Sequence, residues 1–433
     1  MSPPRLRVGL LGGGWWPEAG GVQSVTRGLA AALQARGHRV FALVFDGAAS
    51  ARTGSRDAVL PAGEWRDQRV GGVRVRRVSV ASRELRDPEG LLRQEDLELM
   101  AARWCAEHEL ELVHAHDISG WGAGTLSRLA ELGLPVFWTW HDFHAVCPRG
   151  QLWHAEGRRC EKAQPEECAR CVERTWPQLA GARGLADVLA RRMELASVAS
   201  HVCEKVYAPT RAACDVFARH GLDVGAVQLC ENGVAAPGGS AESEVALSPS
   251  GSGSAATAGD GTLRVGFLGS VQPSKGVLEL ARWIVELGAP FELHVHGPRA
   301  DYHGDRSYAG ALEELAAREE RVVLHGAYDG IERDAIFARL DLVAVPSLWE
   351  EVHGLTAREA RAAGLPVFAS AVGGLVEAGL HPLPPGDGAA WKSALKRFAS
   401  DPAWCRELGE GPVPGRSYAE MAEQLLADYS LAL

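Results

Sequence analysis

The run Arg7-Val8-Gly9-Leu10-Leu11-Gly12-Gly13 returns in the second half of the chain as Arg264-Val265-Gly266-Phe267-Leu268-Gly269-Ser270. Each copy is a short apolar strand entering a glycine turn. Each is followed by a helix-period stretch, residues 22–37 and 277–287, and then by a second apolar strand, residues 40–45 and 291–295. Continuously apolar strands are buried on both faces, and strands separated by a helix pair in parallel, because only a long crossover joins parallel neighbours. The repeat therefore predicts an α/β fold in which a doubly wound, Rossmann-like sheet begins twice. Residues 1–234 and 263–412 are the expected domains. Residues 235–262, a Ser-, Ala- and Gly-rich run without periodicity, read as a flexible linker between them. In open parallel sheets ligands bind outside the carboxyl ends of the strands, so two such domains facing each other would line a cleft from both sides. A donor on one side and an acceptor on the other is the natural division.

The densest signal lies between Val345 and Glu377. An apolar run over 343–345 is closed by Pro346, Gly354 opens an Ala- and Arg-rich helix, Gly364 and Pro366 stop it, and 367–369 is the next buried strand. Glu351 falls in the loop and Glu359 on the helix, about 12 Å apart were the whole spacing helical. A carboxylate accepts paired hydrogen bonds from vicinal hydroxyls, about 1.5–3 kcal/mol each when charge-assisted. Between the two, the free amides near Gly354 and Leu355 favour an anion. The implied ligand reads diol, phosphate, diol, which is the order of a nucleotide sugar. Two glutamates at this spacing also occur on solvated helix faces, so the pair alone is a weak signal. Upstream, Gln272-Pro273-Ser274-Lys275-Gly276 places an ammonium just before a helix, where it and the helix amides would neutralise a leaving diphosphate.

Taken together, Pro346-Ser347, Glu351 and Glu359 eight positions apart, Gly354-Leu355, Ala363-Gly364-Leu365-Pro366-Val367 and Gly373-Gly374 resemble the retaining GT-B glycosyltransferases of the family 4, or group 1, type. The resemblance implies two Rossmann-like domains and transfer of a sugar from a nucleotide-diphosphate sugar to a hydroxyl of a glycan, a lipid-linked or a small-molecule acceptor. It implies front-face displacement, in which the departing phosphate oxygen takes the acceptor's proton. Carried over to this chain, Glu351 orients the sugar hydroxyls, Glu359 the ribose, and Lys275, Ser270 and the amides near Gly354, Leu355 and Gly374 hold the diphosphate. Gly21 of the Gly20-Gly21 loop approaches the phosphates from the first domain, and His141 lies beside the sugar. The helix within 413–433, from Tyr418 to Tyr429, is implied to cross back onto the first domain. One departure stands out: the family has arginine where this chain has Ser270, and Arg299 is the candidate replacement. No Asp-x-Asp occurs, so a metal-independent reaction without a catalytic cofactor is expected.

In the first domain, Gly12-Gly13-Gly14 with Asp46 could open a dinucleotide site, but Trp15, Trp16 and Pro17 fall where a third glycine is needed. Alternation places His114 and His116 on one face at a strand end, beside Asp117. A metal there would need a third ligand in register, and a polar strand end lining the acceptor side is the preferred reading of His116 and Asp117. The strand over 136–142 ends in His141-Asp142, with Asp142 expected to hold the His141 tautomer; a histidine capping the strand is the alternative. Within the loop-rich segment 143–176, Cys147, Cys160, Cys168 and Cys171 match a structural zinc knuckle, against the alternative of buried thiols; a disulfide is disfavoured in a reducing compartment.

A formal net charge of -10 argues against a nucleic-acid partner. The basic run 66–86 reads as a solvated edge strand guarded by charge, ahead of a membrane-surface patch. The chain start lacks an apolar leader core, and no segment reaches about 18 apolar residues. A cytoplasmic protein, at most peripheral at the inner membrane face, is expected. Three other classes share these features: a sugar-nucleotide epimerase, which needs no acceptor; an NAD-dependent oxidoreductase, which would ignore diphosphates; and a non-catalytic nucleotide-sugar binder.

Overall fold

The structure, a computed structural model, describes residues 5–15, 20–45, 63–79, 95–162, 164–177, 183–222, 227–235, 261–299, 301–328, 330, 332–378, 381–401, 404, 407–408 and 415–433. Residues 236–260 of the expected linker lie outside the described residues, as do Trp16, Pro17 and Asp46. The chain divides into two compact units, one comprising Met1–Gly150, Glu161–Gly233 and Ser417–Leu433, the other Gln151–Cys160 and Val234–Arg416.

The first unit is built on β1 (Arg7–Leu11), β2 (Arg39–Phe45), β3 (Trp65–Val70), β4 (Val73–Val78), β5 (Leu112–Ala115), β6 (Val136–Thr139), β7 (Lys205–Ala208) and β8 (Val227–Leu229). They pair in the order β3-β4-β2-β1-β5-β6-β7-β8, all parallel except β3 against β4. Helices α1 (Gly21–Ala35), α2 (Glu95–Glu107), α3 (Ala123–Glu131), α4 (Pro165–Thr175), α5 (Arg183–His201) and α6 (Arg211–Arg219) make the crossovers. The order reverses beside β1, which puts the switch point where the glycine turn after β1 and the end of β5 meet.

After β9 (Gly233–Val234), the second unit repeats the scheme with β10 (Leu263–Leu268), β11 (Phe291–His296), β12 (Val322–Gly326), β13 (Leu342–Val345), β14 (Val367–Ser370) and β15 (His381–Leu383). Their order is β12-β11-β10-β13-β14-β15, parallel throughout. Alternate residues feed opposite cores. Leu342, Ala344 and Phe368 pack with Val277, Ile284 and Trp391, from α7 (Val277–Leu287) and α11 (Gly388–Ser400). Val343, Val367 and Ala369 pack with Phe337, Ala357 and Ala360, from α9 (Arg333–Phe337) and α10 (Leu355–Ala362). A sheet buried on both faces explains why its strands read as continuous apolar runs. The crossover between β11 and β12 is α8 (Ser307–Ala316).

The basic run is a solvated edge only over its first residues, 66–70, on β3. β3 is the edge strand and β4 lies inside it. Arg76 and Arg77 are buried, and Arg76 is neutralised by Asp67 and Glu107, both at 2.8 Å, with its guanidinium 3.7 Å from the centre of the Trp65 ring. The run thus holds together the hairpin and α2. No helix among the described residues is long and apolar enough to cross a membrane.

Following β16 (Arg416–Ser417), the last helix, α12 (Tyr418–Ala432), belongs to the first unit. Ser417 and Glu420 close a reciprocal capping box at its start. The Tyr418 ring fills the space where Gly28 of α1 lacks a side chain; a Cβ there would fall 2.3 Å from the ring. Further along, Asp428 accepts from Lys205 Nζ at 2.5 Å and from Tyr207 OH at 2.7 Å. Tyr429, fully buried, meets His114 Nδ1 at 2.5 Å, while His114 Nε2 meets Thr139 Oγ1 at 2.8 Å. Burial, with His141 nearby, pushes the His114 imidazole down to about 3, so it stays neutral in the fold.

An unfolded chain protonates His114 below its ordinary value of 6.5, while the folded chain does so only near 3. Stability is therefore lost as pH falls through that window, by about 2 kcal/mol at pH 5 from this residue. Replacing His114 by glutamine is expected to flatten the fall in urea midpoint between about pH 7.5 and 5 by a corresponding amount. An unchanged slope would mean that the folded protein takes up the proton.

Candidate functional site

In the second unit, the segment from β13 to α10 is organised on Glu351, which is 6% exposed. Lys275 Nζ donates to its Oε1 at 2.6 Å, Ser347 Oγ at 2.5 Å and Trp349 Nε1 at 2.9 Å. All three converge on one oxygen, and Oε2 accepts from no protein group among the described residues. Burial alone would push this carboxyl up; the Lys275 ammonium, with Ser347 and Trp349, more than offsets it and holds the group below the usual carboxylate range. The ammonium also lies 4.9 Å from the centre of the Trp349 ring.

Backbone contact brings these side chains together. The turn Pro273–Lys275 ends at Gly276 in the left-handed region, φ 69°, and a Cβ there would fall 2.2 Å from the Pro346 carbonyl oxygen. Only glycine allows the two loops to approach this closely. The Leu348 amide then bonds the Ser274 carbonyl at 2.8 Å. From the other side, the Gly374 amide donates to the Glu351 carbonyl at 2.6 Å, with Gly373 at φ 49° beneath it. Arg358, 2% exposed, donates to the carbonyls of His353 at 3.1 Å and Gly374 at 3.5 Å and ties this turn to α10.

Gly354 is the N-cap of α10 in the left-handed region, and no side chain caps the helix, so the amides beginning at Leu355 keep the partial positive charge of its N-terminus. Glu359 follows on the same helix, 8% exposed, with Arg333 Nη1 of α9 donating to Oε1 at 2.7 Å. Burial raises this carboxyl above its usual range despite the arginine. Arg333 was not visible in the sequence pattern. Ser270 is exposed on the loop after β10. Arg299 is engaged with Glu313 at 3.1 Å.

In the first unit, His116 and His141 share a hydrogen bond, Nδ1 to Nε2, at 2.9 Å, and their rings stack with centroids 5.2 Å apart. His114 stacks on the other face of His116 at 4.3 Å. Burial first, then the neighbouring imidazoles, holds His116 far below its ordinary value, so it is neutral; its Nε2 is buried with no hydrogen-bond partner among the described residues. Asp142 does not hold His141. It accepts instead from the amide and Nδ1 of His144, at 2.9 and 2.7 Å, because a side-chain oxygen two residues before an amide closes a local turn first. The His141 ring has His116 as a hydrogen-bond partner. Asp117 accepts from the Ser119 amide at 2.8 Å, and burial raises its carboxyl. Its Oδ2 would lie 2.3 Å from a Cβ at Gly13, so the glycine turn and the end of β5 are in contact. Gly21, the first residue of α1, has open space where a Cβ would be.

The four cysteines do not assemble as expected. Among the described residues no group of three or more His, Cys, Asp or Glu side chains could hold a metal ion. Cys147, Cys168 and Cys171 belong to the first unit and Cys160 to the second, and the Cys171 sulfur faces Arg149 Nη1 at 4.0 Å.

Because Glu351 is ionised and buried, removing its cation is costly. Lys275→Met is expected to destabilise the fold by about 2 kcal/mol at pH 7, below the cost of breaking a fully buried pair because the lysine is part-exposed. The carboxyl is depressed in the fold, so this contribution is present above its ordinary 4.5 and fades as pH falls through the folded value. Urea midpoints of wild type and variant that converge in acid would confirm it, whereas equal midpoints at pH 7 would refute it.

Residues 19–236 match the family model described as Glycosyltransferase Family 4, and residues 262–401 match Glycosyl transferases group 1. The chain is 36% identical over 191 residues to D-inositol 3-phosphate glycosyltransferase of Nocardia farcinica, a match covering 39% of this chain and 40% of that protein. It is 33% identical over 150 residues to 2-deoxystreptamine glucosyltransferase of Streptomyces kanamyceticus, covering 32% and 37%. These matches span less than half of either relative's length. Among solved structures, sucrose-phosphate synthase of Thermosynechococcus elongatus aligns over 99% of this chain and 97% of its own, with a TM-score of 0.63 at 19% identity. HepE of Anabaena, in complex with UDP-glucose, aligns over 99% and 98% with a TM-score of 0.61 at 15% identity. These likenesses show the GT-B fold, with its two Rossmann-like sheets. With one family model spanning more than half of its length, the chain belongs to glycosyltransferase family 4.

Proposed function

We propose that the protein is a glycosyltransferase that moves a sugar from a nucleotide-diphosphate sugar to a hydroxyl acceptor with retention of configuration. The observation that carries this reading is the state of Glu351: one oxygen saturated by Lys275, Ser347 and Trp349, the other without a partner among the described residues, at the loop leading into an uncapped helix N-terminus. An ionised carboxylate fixed in this way is a hydrogen-bond acceptor for sugar hydroxyls. Lys275 spends one N–H on Glu351 and keeps two for a diphosphate, and the α10 amides supply further donors to the same anion. Glu359, whose Oε2 is unengaged among the described residues, is assigned the ribose hydroxyls. His141 and Gly21 are the first-unit residues assigned to the sugar and the phosphates. The UDP-glucose bound by HepE supports a donor of this class.

In the proposed reaction the bond from the anomeric carbon to the leaving phosphate oxygen breaks while the acceptor oxygen bonds the same carbon from the same face. The acceptor's proton passes to the departing phosphate oxygen, so no protein nucleophile is used. Leaving-group charge is met by Lys275 and helix amides, with no Asp-x-Asp pair in the chain to hold a bridging metal. Glu351 and Glu359 then have separable effects.

Titration calorimetry with UDP-, GDP-, ADP- and TDP-sugars and their diphosphates, with NAD as control, tests the donor class. One nucleotide is expected to bind, and Glu359→Ala to weaken it by roughly 10- to 100-fold, the loss of one or two charge-assisted hydrogen bonds. Glu351→Gln is expected to lower kcat by about 100-fold with donor affinity nearly unchanged. Equal donor affinity in wild type and Glu359→Ala would remove the ribose assignment. Binding of NAD in preference to every diphosphate would remove the reading itself.

A further inference from the structure

Residues 151–160 lie in sequence between two segments of the first unit, yet they belong to the second. They form a closed hairpin: Trp153 bridges Arg159 antiparallel, the His154 amide bonds the Arg158 carbonyl at 2.7 Å, and the Cys160 amide bonds the Leu152 carbonyl at 2.7 Å. Leu152 is buried and sits at φ 50°, a conformation that a leucine holds only where its surroundings impose it. Leu152, Trp153 and His154 are all buried.

Polar contacts from its two ends reach the two loops that meet at Glu351. Gln151 Oε1 accepts from Ser274 Oγ at 2.9 Å and from Tyr302 OH at 2.8 Å. Ser274 is fully buried, immediately precedes Lys275, and uses its carbonyl to bind the Leu348 amide. Arg159 Nη1 stands 3.5 Å from Oε1 of Glu350, the neighbour of Glu351. One end of the hairpin thus holds the turn that carries the ammonium, and the other holds the loop that carries the carboxylate.

We propose that Gln151 and Arg159 are positioning residues for glycosyl transfer, fixing the Lys275–Glu351 pair through the Ser274 hydroxyl and Glu350. This rests on the donor-site reading above. Two hydroxyls donating to one amide oxygen fix the side chain of Ser274, and with it the backbone from which Lys275 projects. A neutral acceptor is suited to this place, because it orients the turn without adding a second negative charge to compete for the ammonium. The hairpin is then part of the site although it touches no substrate.

Kinetics of the full-length protein, with the nucleotide sugar found by calorimetry, tests this. Gln151→Ala is expected to lower kcat by about tenfold and to do so non-additively: in a Lys275→Ala background the same change should have little further effect. Ser274→Ala should reproduce the loss with the hairpin intact, and Gln151→Glu, which keeps the acceptor oxygen, should recover part of the activity. Arg159→Glu should likewise lower kcat, and adding Glu350→Arg should restore it. Wild-type turnover in a folded Gln151→Ala protein would overturn the proposal, as would full additivity with Lys275→Ala, which would mark the hairpin as a purely structural element. Should wild type bind no nucleotide diphosphate, the donor-site reading falls first and this one with it; binding in wild type with unchanged kinetics in the variants defeats this inference alone.

Discussion

A carboxylate taken out of water stays ionised only if charge and hydrogen bonds replace what the solvent supplied. Glu351 meets that condition through Lys275, Ser347 and Trp349, and much of the second unit's local geometry follows from it. Lys275 can reach it only because Gly276 lets the turn after β10 press against the carbonyl of Pro346. The loop can hold it only because Gly373 and Gly374 tuck against its backbone from the opposite side. Substituting Gly276 or Gly373 would move the carboxylate, not just the turn, since a Cβ at either would meet backbone that cannot shift as a side chain tip can.

The same dependence appears at the end of β5 in the first unit. Alternation puts His114 and His116 on one face, and the sheet order places β5 beside β1 and β6 at the switch point. His114 is the structural member of the pair, bonded on both nitrogens by Tyr429 and Thr139 and thereby tied to α12. His116, stacked on it, passes that fixed orientation to His141. Docking of the last helix and orientation of a candidate site residue are therefore one packing problem. A change in α12 that moved Tyr429 would be felt two imidazoles away.

The features legible in the sequence are those set by local pattern. Both sheets were readable because each opens with the same strand, glycine turn and helix, and α7 starts and ends where its periodicity predicted, at Val277 and Leu287. The window from Val345 to Glu377 was readable because proline, glycine and apolar runs punctuate it closely. Features set by distant pairing were not. Arg333 reaches Glu359 from 26 residues away, on a short helix with no pattern marking it. Arg76 looked solvated because its partners, Asp67 and Glu107, lie on another strand and on α2. Asp142 was assigned to its neighbour His141, but the nearer amide and ring of His144 took it. Cys160 shares a spacing with three other cysteines and a compact unit with none of them.

Glu351 and Glu359 are the same side chain, nearly equally buried, each with a cation on Oε1 and, among the described residues, nothing on Oε2, yet their carboxyls move in opposite directions. The difference lies in the number of hydrogen-bond donors and in the Asp334 carboxylate near Glu359. Glu351 has two besides its lysine, enough to outweigh burial, and its ionised form is complete before any ligand arrives. Among the described residues Glu359 has Arg333 as its donor, and burial, with the Asp334 carboxylate nearby, prevails. Hydroxyls arriving at Glu359 would supply the donors that the protein withholds and draw its carboxyl back down, so ligand binding and ionisation reinforce each other there. At Glu351 they have little left to add, and a ligand meets a carboxylate already set in charge and direction. A residue of the first kind suits affinity and one of the second suits orientation, which is the division assigned to the ribose and to the transferred sugar.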